Sequence, residues 1–158
     1  MLTTIQNYEI INFTPEGKEL SLLANNNLLE ILYKKYSFGF QDGGCLIFAS
    51  LISSFVENSK IVSVGRRGNS DHFAVSMKSK YGNIYIDSDG VFTKDEIIFK
   101  QFQMELFALV PSYEHIIIEE YDLHEFNTLD IVFDESIISD MKKDYGSLLV
   151  KILKDLQG

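Results

Sequence analysis

The stretch HFAVSMKSKYGNIYIDSDG, residues 72–90, predicts a β-hairpin, and this hairpin decides the fold class. Apolar residues alternate along both halves of the stretch, and an even-numbered loop around residues 79–82 separates the halves. Because successive side chains of a strand point to opposite faces, the alternation gives the hairpin one apolar face. That face comprises Phe73, Val75, Met77, Ile84 and Ile86.

Helical patterns lie on both sides of this hairpin. The first begins with Thr14 as N-cap and Pro15 at the first helical position, and it is either one helix or a pair interrupted at residues 25–27. We therefore predict a single α+β domain over residues 1–158, with an N-terminal helical segment, a small antiparallel sheet and C-terminal helices. The further predicted helices are 45–58, 94–110 (opened by a capping box of Thr93 and Glu96) and 134–156, and the further strands are 60–65 and 115–121.

Composition narrows the class of partner. The chain of 158 residues carries a net charge of -9, which disfavours nucleic acid as a partner because phosphate binding depends on Lys and Arg. The single cysteine excludes an intramolecular disulfide, and neither a secretory signal nor an apolar run of membrane-spanning length is present. We expect a cytoplasmic protein that needs no membrane, metal or cofactor and that acts on a protein or peptide.

Cys45, the single cysteine, follows two glycines and opens the predicted helix 45–58. A thiol in the first turn of a helix meets unpaired N–H groups and the positive end of the helix dipole, which favour the nucleophilic thiolate. This interpretation predicts an accessible thiol. Cys45 also lies three residues before Phe48 and continues the apolar stripe of the helix, so a structural core cysteine is the alternative.

The polar face of the hairpin supplies partners for such a thiol. His72 begins the first strand, and Asp87 and Asp89 follow the apolar run of the second. In an antiparallel pair, His72 lies opposite Asp87 or Asp89, according to the register. A carboxylate there would orient the imidazole through one nitrogen and leave the other nitrogen for the thiol.

The order of these three residue types resembles that in a known superfamily. Cys45 after GG, His72 at a strand start and an aspartate on the next strand resemble the papain-like cysteine hydrolases in the broad sense, including their transglutaminase-like and arylamine N-acetyltransferase-like branches. The phrases DGGC, DHFAV and IYIDSDGVFTKDEI also look like small bacterial and phage proteins with such a core. The resemblance implies a papain-like fold, with Cys45 as nucleophile, His72 as its base and Asp87 as the orienting acid.

The resemblance also implies roles for neighbouring residues. Gln41, four residues before the cysteine, would stabilise an oxyanion, while Gly43, Gly44 and Asp89 would contact the substrate. The implied activity is hydrolysis or transfer of an acyl group at an amide, peptide, isopeptide or thioester bond.

Two other interpretations use overlapping residues. YIDSDGVFTKDE matches an EF-hand calcium loop at Asp87, Asp89, Gly90 and Glu96, but Tyr85 stands where the first carboxylate belongs. The acidic run 119–130 and the net charge are also typical of a non-catalytic protein that binds or inhibits a basic partner protein.

Overall fold

The computed structural model describes residues 14–66, 71–107, 116–120 and 132–158, and within these ranges it shows the predicted α+β fold. The helices are α1 (Pro15–Leu23), α2 (Leu29–Tyr33), α3 (Cys45–Ser53), α4 (Lys94–Phe107) and α5 (Glu135–Gln157). The strands are β1 (Lys60–Gly65), β2 (His72–Ser79), β3 (Gly82–Asp87), β4 (Gly90–Phe92) and β5 (Ile117–Glu120).

The strands form one antiparallel sheet in the order β4-β3-β2-β1-β5. Its centre is the predicted hairpin, in which Val75 pairs with Ile86 and a two-residue loop joins Ser79 to Gly82. Strand β4 was not predicted. Its three residues are too few to show an alternating pattern, and it is recognisable only by its pairing at the edge of β3.

Helices cover both faces of the sheet. The predicted apolar face of the hairpin packs in one core with α1, α3 and α5, and α3 itself is apolar at nearly every position because neighbours surround it. Helix α4 covers the opposite face, over a smaller core of Val62, Val64, Ala74, Tyr85, Phe92 and Ile97. The site described below therefore lies between the two helical layers.

Helix α3 ends five residues earlier than predicted. Ser54 follows its last residue, and the Ser54 hydroxyl donates to the Leu51 carbonyl at 2.6 Å. Asn58 then adopts a left-handed conformation with a φ of 63°, which no helix can accommodate. The apolar residues after Ser53 still pack on the core, so the stripe of apolar residues continued beyond the helix itself.

The predicted interruption at residues 25–27 is a π-helical turn, Ala24–Leu28, so the chain stays helical from α1 into α2. The amide of Asn25 donates to the Ser21 carbonyl at 2.8 Å and to the Ser88 carbonyl at 3.0 Å. The turn therefore connects the N-terminal helices to the loop between β3 and β4.

Helix α5, with 23 residues, is the longest described helix and begins where predicted. Its N-cap, Asp134, accepts from the N–H groups of Ser136 and Ile137 and from the Tyr36 hydroxyl at 2.7 Å. Lys35 also pairs with Asp134 at 2.6 Å, and together these contacts hold the pKa of the carboxyl well below its usual range. Neither α5 nor any other helix in the described ranges is both long and apolar enough to cross a membrane.

Candidate active site

Cys45 is the first residue of α3, and two glycines bring the chain to it. Gly43 has a φ of 133°, which a residue with a side chain rarely adopts. Gly44, the N-cap, has no room for a side chain, because a Cβ there would lie 2.9 Å from the Gly39 carbonyl oxygen and 3.0 Å from Leu32. The backbone conformation at Gly43 and the close packing at Gly44 therefore require glycine, independently of any contact with a substrate.

The Cys45 residue is 5% exposed and belongs to the core shared by α1, α3 and α5. The prediction of an accessible thiol is therefore wrong. The alternative of a core cysteine describes its burial correctly, but it does not account for the polar partner at the thiol. That partner is His72, because Cys45 lies close enough to its ring to raise the pKa of the imidazole.

His72 connects Cys45 to Asp87. Its Nε2 lies 2.8 Å from Oδ2 of Asp87, and since this contact uses Nε2, Nδ1 is the ring nitrogen left for Cys45. His72 is 4% and Asp87 2% exposed, so water does not compete with the hydrogen bond between them. The register, extended from the Val75–Ile86 pair, places His72 opposite Asp89, and the contact to Asp87 is thus diagonal.

The charges around the imidazole favour its protonated form. Burial alone would lower the pKa of His72, but the hydrogen bonds and charges of Asp87 and Cys45 outweigh burial and raise the pKa from 6.5 to about 9. Burial likewise disfavours the ionised Asp87, yet the charge of Lys100 and the contact with His72 hold the pKa of Asp87 well below its usual range. His72 and Asp87 are therefore an ion pair at neutral pH.

Lys100 is a fourth charged residue at the site. It lies on α4, is 2% exposed and forms ion pairs with Oδ2 of Asp87 and, at 2.7 Å, with Oδ2 of Asp89. Asp89, which we predicted to contact substrate, is thus engaged with this lysine in the structure. Its backbone N–H also donates to Oδ1 of Asp87 at 2.8 Å, so both oxygens of Asp87 are occupied.

Gln41 lies next to the turn that follows Asp87. Its side-chain NH₂ donates to the Ser88 hydroxyl at 2.8 Å, while its Oε1 is buried and has no hydrogen-bond partner among the described residues. The amide predicted to stabilise an oxyanion therefore binds the residue directly after the carboxylate partner of His72.

The residues of the calcium alternative have other partners in this structure. Asp87 and Asp89 bind Lys100, and Glu96 accepts from the Thr93 N–H at 3.0 Å in the predicted capping box. The segment before them is a strand where an EF-hand requires a helix. Within the ranges that the structure describes, no three His, Cys, Asp or Glu residues are grouped as a metal site would require.

Sequence reasoning missed Lys100, Ser88 and Asn25. A lysine in an amphipathic helical pattern is normally assigned to the solvent-facing side of the helix. The one indication that Lys100 lies on the inner face of α4 is its position three residues after the buried Ile97. The asparagine and the serine contribute through contacts of long sequence separation, for which a single sequence carries no signal.

Comparisons with known proteins identify no relative of this chain. No family model, no curated protein and no solved structure matches the chain.

Proposed function

We propose that this protein is a cysteine hydrolase or acyltransferase with a papain-like core, acting at an amide, peptide, isopeptide or thioester bond. One observation carries the proposal: buried His72 binds Asp87 through Nε2 at 2.8 Å, and its ring lies close enough to Cys45 for the cysteine to raise the pKa of the imidazole. A nucleophile, a base and a residue that orients the base are the parts that acyl transfer requires.

In the first half of the reaction, Cys45 gives its thiol proton to His72, and the Cys45 sulfur attacks the carbonyl carbon of the substrate. The sulfur–carbon bond forms, and the carbonyl electrons move to oxygen as an oxyanion. The oxyanion is stabilised by the Cys45 backbone N–H, which has no partner within α3 because it lies in the first turn, and by Gln41, whose amide would exchange its Ser88 contact for the oxyanion. The carbon–leaving-group bond then breaks, and the leaving group takes the proton from protonated His72.

In the second half, His72 accepts a proton from water or from an acceptor amine, which attacks the thioester. The tetrahedral intermediate collapses, the sulfur–carbon bond breaks, and Cys45 is regenerated. Asp87 remains ionised throughout, because Lys100 and the Asp89 N–H occupy it together with His72. Its role is to orient the ring and to stabilise its positive charge.

Labelling with iodoacetamide tests the reactivity of the thiol. Because Cys45 is the only cysteine, any thiol adduct seen by intact mass is on that residue, and Cys45→Ala gives the background. Although Cys45 is only 5% exposed, we expect it to be labelled at pH 7 without unfolding in urea, since only folded protein holds His72 beside the sulfur. A thiol that reacts only after unfolding is an inert core cysteine and contradicts the proposal.

Two aspartates provide a matched pair of variants. Asp87→Asn leaves the size of the side chain unchanged but removes the charge that binds His72, and it should lower the labelling rate about tenfold or more. Asp89→Asn makes the same chemical change at a residue that binds Lys100, and it should retain most of the rate. Equal effects of the two variants would argue against Asp87 as the orienting acid.

The proposed substrate is a protein or peptide, encountered in a reducing cytoplasm where a thiol stays free. Trapping tests the substrate: cell extract is incubated with the protein, and an acyl adduct on Cys45 is sought that Cys45→Ala lacks. The alternative, an acidic binding protein, depends on the run 119–130, of which residues 121–130 lie outside the described structure, as do His115 and His124. Biological activity that persists undiminished in Cys45→Ala would favour that alternative.

A further inference from the structure

Lys100 is a buried cation that transfers no proton and forms no bond in the proposed reaction. Its ammonium group contacts Asp87 and Asp89 and lies 4.9 Å from the centroid of the Phe92 ring. Removing a charge from water is costly, and a lysine that is 2% exposed remains charged only if strong partners replace the lost hydration. Two carboxylates and an aromatic face provide those partners here.

The contacts of Lys100 restrict the Asp87 carboxylate. Oδ2 accepts from both His72 and Lys100, and Oδ1 accepts from the Asp89 N–H at 2.8 Å. Rotation of the carboxylate would break a contact on each side. Since the carboxylate holds Nε2 of His72, the lysine fixes the imidazole indirectly, and with it the nitrogen that faces Cys45.

Lys100 also competes electrostatically with His72. Both cations share one oxygen of Asp87, so the lysine weakens the field that holds the proton on the imidazole. Among the residues that the structure describes, the charged or titratable groups around His72 come from three elements: Cys45 on α3, Asp87 and Asp89 at the end of β3, and Lys100 on α4. From β1, the residue paired with His72 is the apolar Val64.

We propose that Lys100 is a positioning residue, which orients the Asp87 carboxylate and limits how tightly His72 keeps its proton. The proposed effect of Lys100 on His72 depends only on the contacts that join Lys100, Asp87, Asp89 and His72. The consequence for thiol chemistry rests on the proposed function.

The test replaces Lys100 and follows the titration of His72 by proton NMR. The chain has three histidines, and the resonance that disappears in His72→Gln identifies the one of interest. Lys100→Met keeps an unbranched chain of similar length without charge, and the midpoint of the His72 titration should rise by about one pH unit or more. Lys100→Arg, which restores the charge, should bring the midpoint back towards that of the unmodified protein.

Lys94 provides the matched control, because it is an exposed lysine on the same helix. Lys94→Met should leave the midpoint unchanged. If Lys100→Met fails to fold, Asp89→Asn is the second variant: it removes a competitor for the ammonium group and should lower the His72 midpoint. The proposal is wrong if neither Lys100→Met nor Asp89→Asn changes the midpoint of the His72 titration. It is also wrong if Lys94→Met shifts that midpoint as much as Lys100→Met does.

Iodoacetamide labelling across pH separates this proposal from the proposed function. If thiol and imidazole act together, the pH profile of labelling shifts with the His72 midpoint in Lys100→Met. A shifted midpoint with an unchanged labelling profile supports the role of Lys100 and contradicts the coupling of His72 to Cys45. An unshifted midpoint contradicts the role of Lys100, while the labelling of unmodified protein still decides the proposed function.

Discussion

Raising the pH from 6 to 9.5 should destabilise the folded protein through one residue, His72. Its pKa is raised from 6.5 to about 9 by Asp87 and Cys45, against the opposing effect of burial. A group with a raised pKa in the folded state binds its proton more tightly there than in the unfolded chain. Its contribution to stability is therefore complete below pH 6.5 and is lost as the pH rises through 9.

The magnitude follows from the size of the shift. One unit of pKa corresponds to about 1.4 kcal/mol, and the shift of His72 therefore corresponds to about 3 kcal/mol of folding free energy. The loss should accumulate at about 1.4 kcal/mol per pH unit between pH 6.5 and 9. Lys35, Lys80 and Lys100 all have raised pKa values, so the loss of their protons falls above this window.

Urea denaturation followed by circular dichroism at pH 6, 7.5 and 9.5 measures this loss. His72→Gln is the control, since glutamine keeps hydrogen-bonding capacity but does not titrate. We expect the unmodified protein to lose about 3 kcal/mol across the window and the variant to lose much less. Parallel losses in the two proteins, or a His72 titration midpoint near 6.5 by NMR, would refute the reasoning.

Three further predictions concern stability and use the same urea assay. Gly44→Ala should lower the free energy of unfolding by about 1–3 kcal/mol, because the added Cβ has no room. Gly146→Ala, where a Cβ on α5 would make only ordinary contacts, should raise it by up to about 1 kcal/mol. A Gly44→Ala variant of unchanged stability would contradict the packing described. Asp134→Ala removes the N-cap of α5 and should lower the free energy of unfolding by about 1–2 kcal/mol at pH 7, but by less near pH 2, because the carboxyl is protonated in the unfolded chain before it is protonated in the folded protein; an equal cost at both would exclude a charged cap. Glu96→Ala opens the capping box and should cost about 0.5–1 kcal/mol, an effect that should vanish if Thr93 does not bond to it.

Most of the sheet could be predicted because apolar residues alternate along the central hairpin, although helices bury both of its faces. Residues 60–65 were predicted as β1 and observed with the same bounds, and the hairpin of β2 and β3 was found within a residue or two. The failures occur where packing, not periodicity, determines the structure. Strand β4 is too short to alternate, and the end of α3 depends on Asn58, whose backbone conformation the apolar stripe does not reveal.

The order of cysteine, histidine and aspartate predicted which residues meet, but not which aspartate binds the ring. The alternation fixed the face of the sheet, and both Asp87 and Asp89 lie on that face. The register places His72 directly opposite Asp89, yet its ring binds Asp87, which lies diagonally across the strand pair. The direction in which the imidazole points is determined by the side chains around it. Lys100 is one of those neighbours, because its ammonium group contacts both carboxylates, and one of these, Asp87, also binds His72.

Lys100 itself could not have been found from local sequence, for a physical reason. A lysine is normally excluded from a core by the cost of dehydrating its charge, so pattern-based reasoning assigns it to the surface. Here the cost is offset by two aspartates on a turn that packs beneath α4, and that packing is known only once the helix and the sheet have come together. Burial of this lysine and ionisation of Asp87 thus depend on each other, and neither is a property of its own segment.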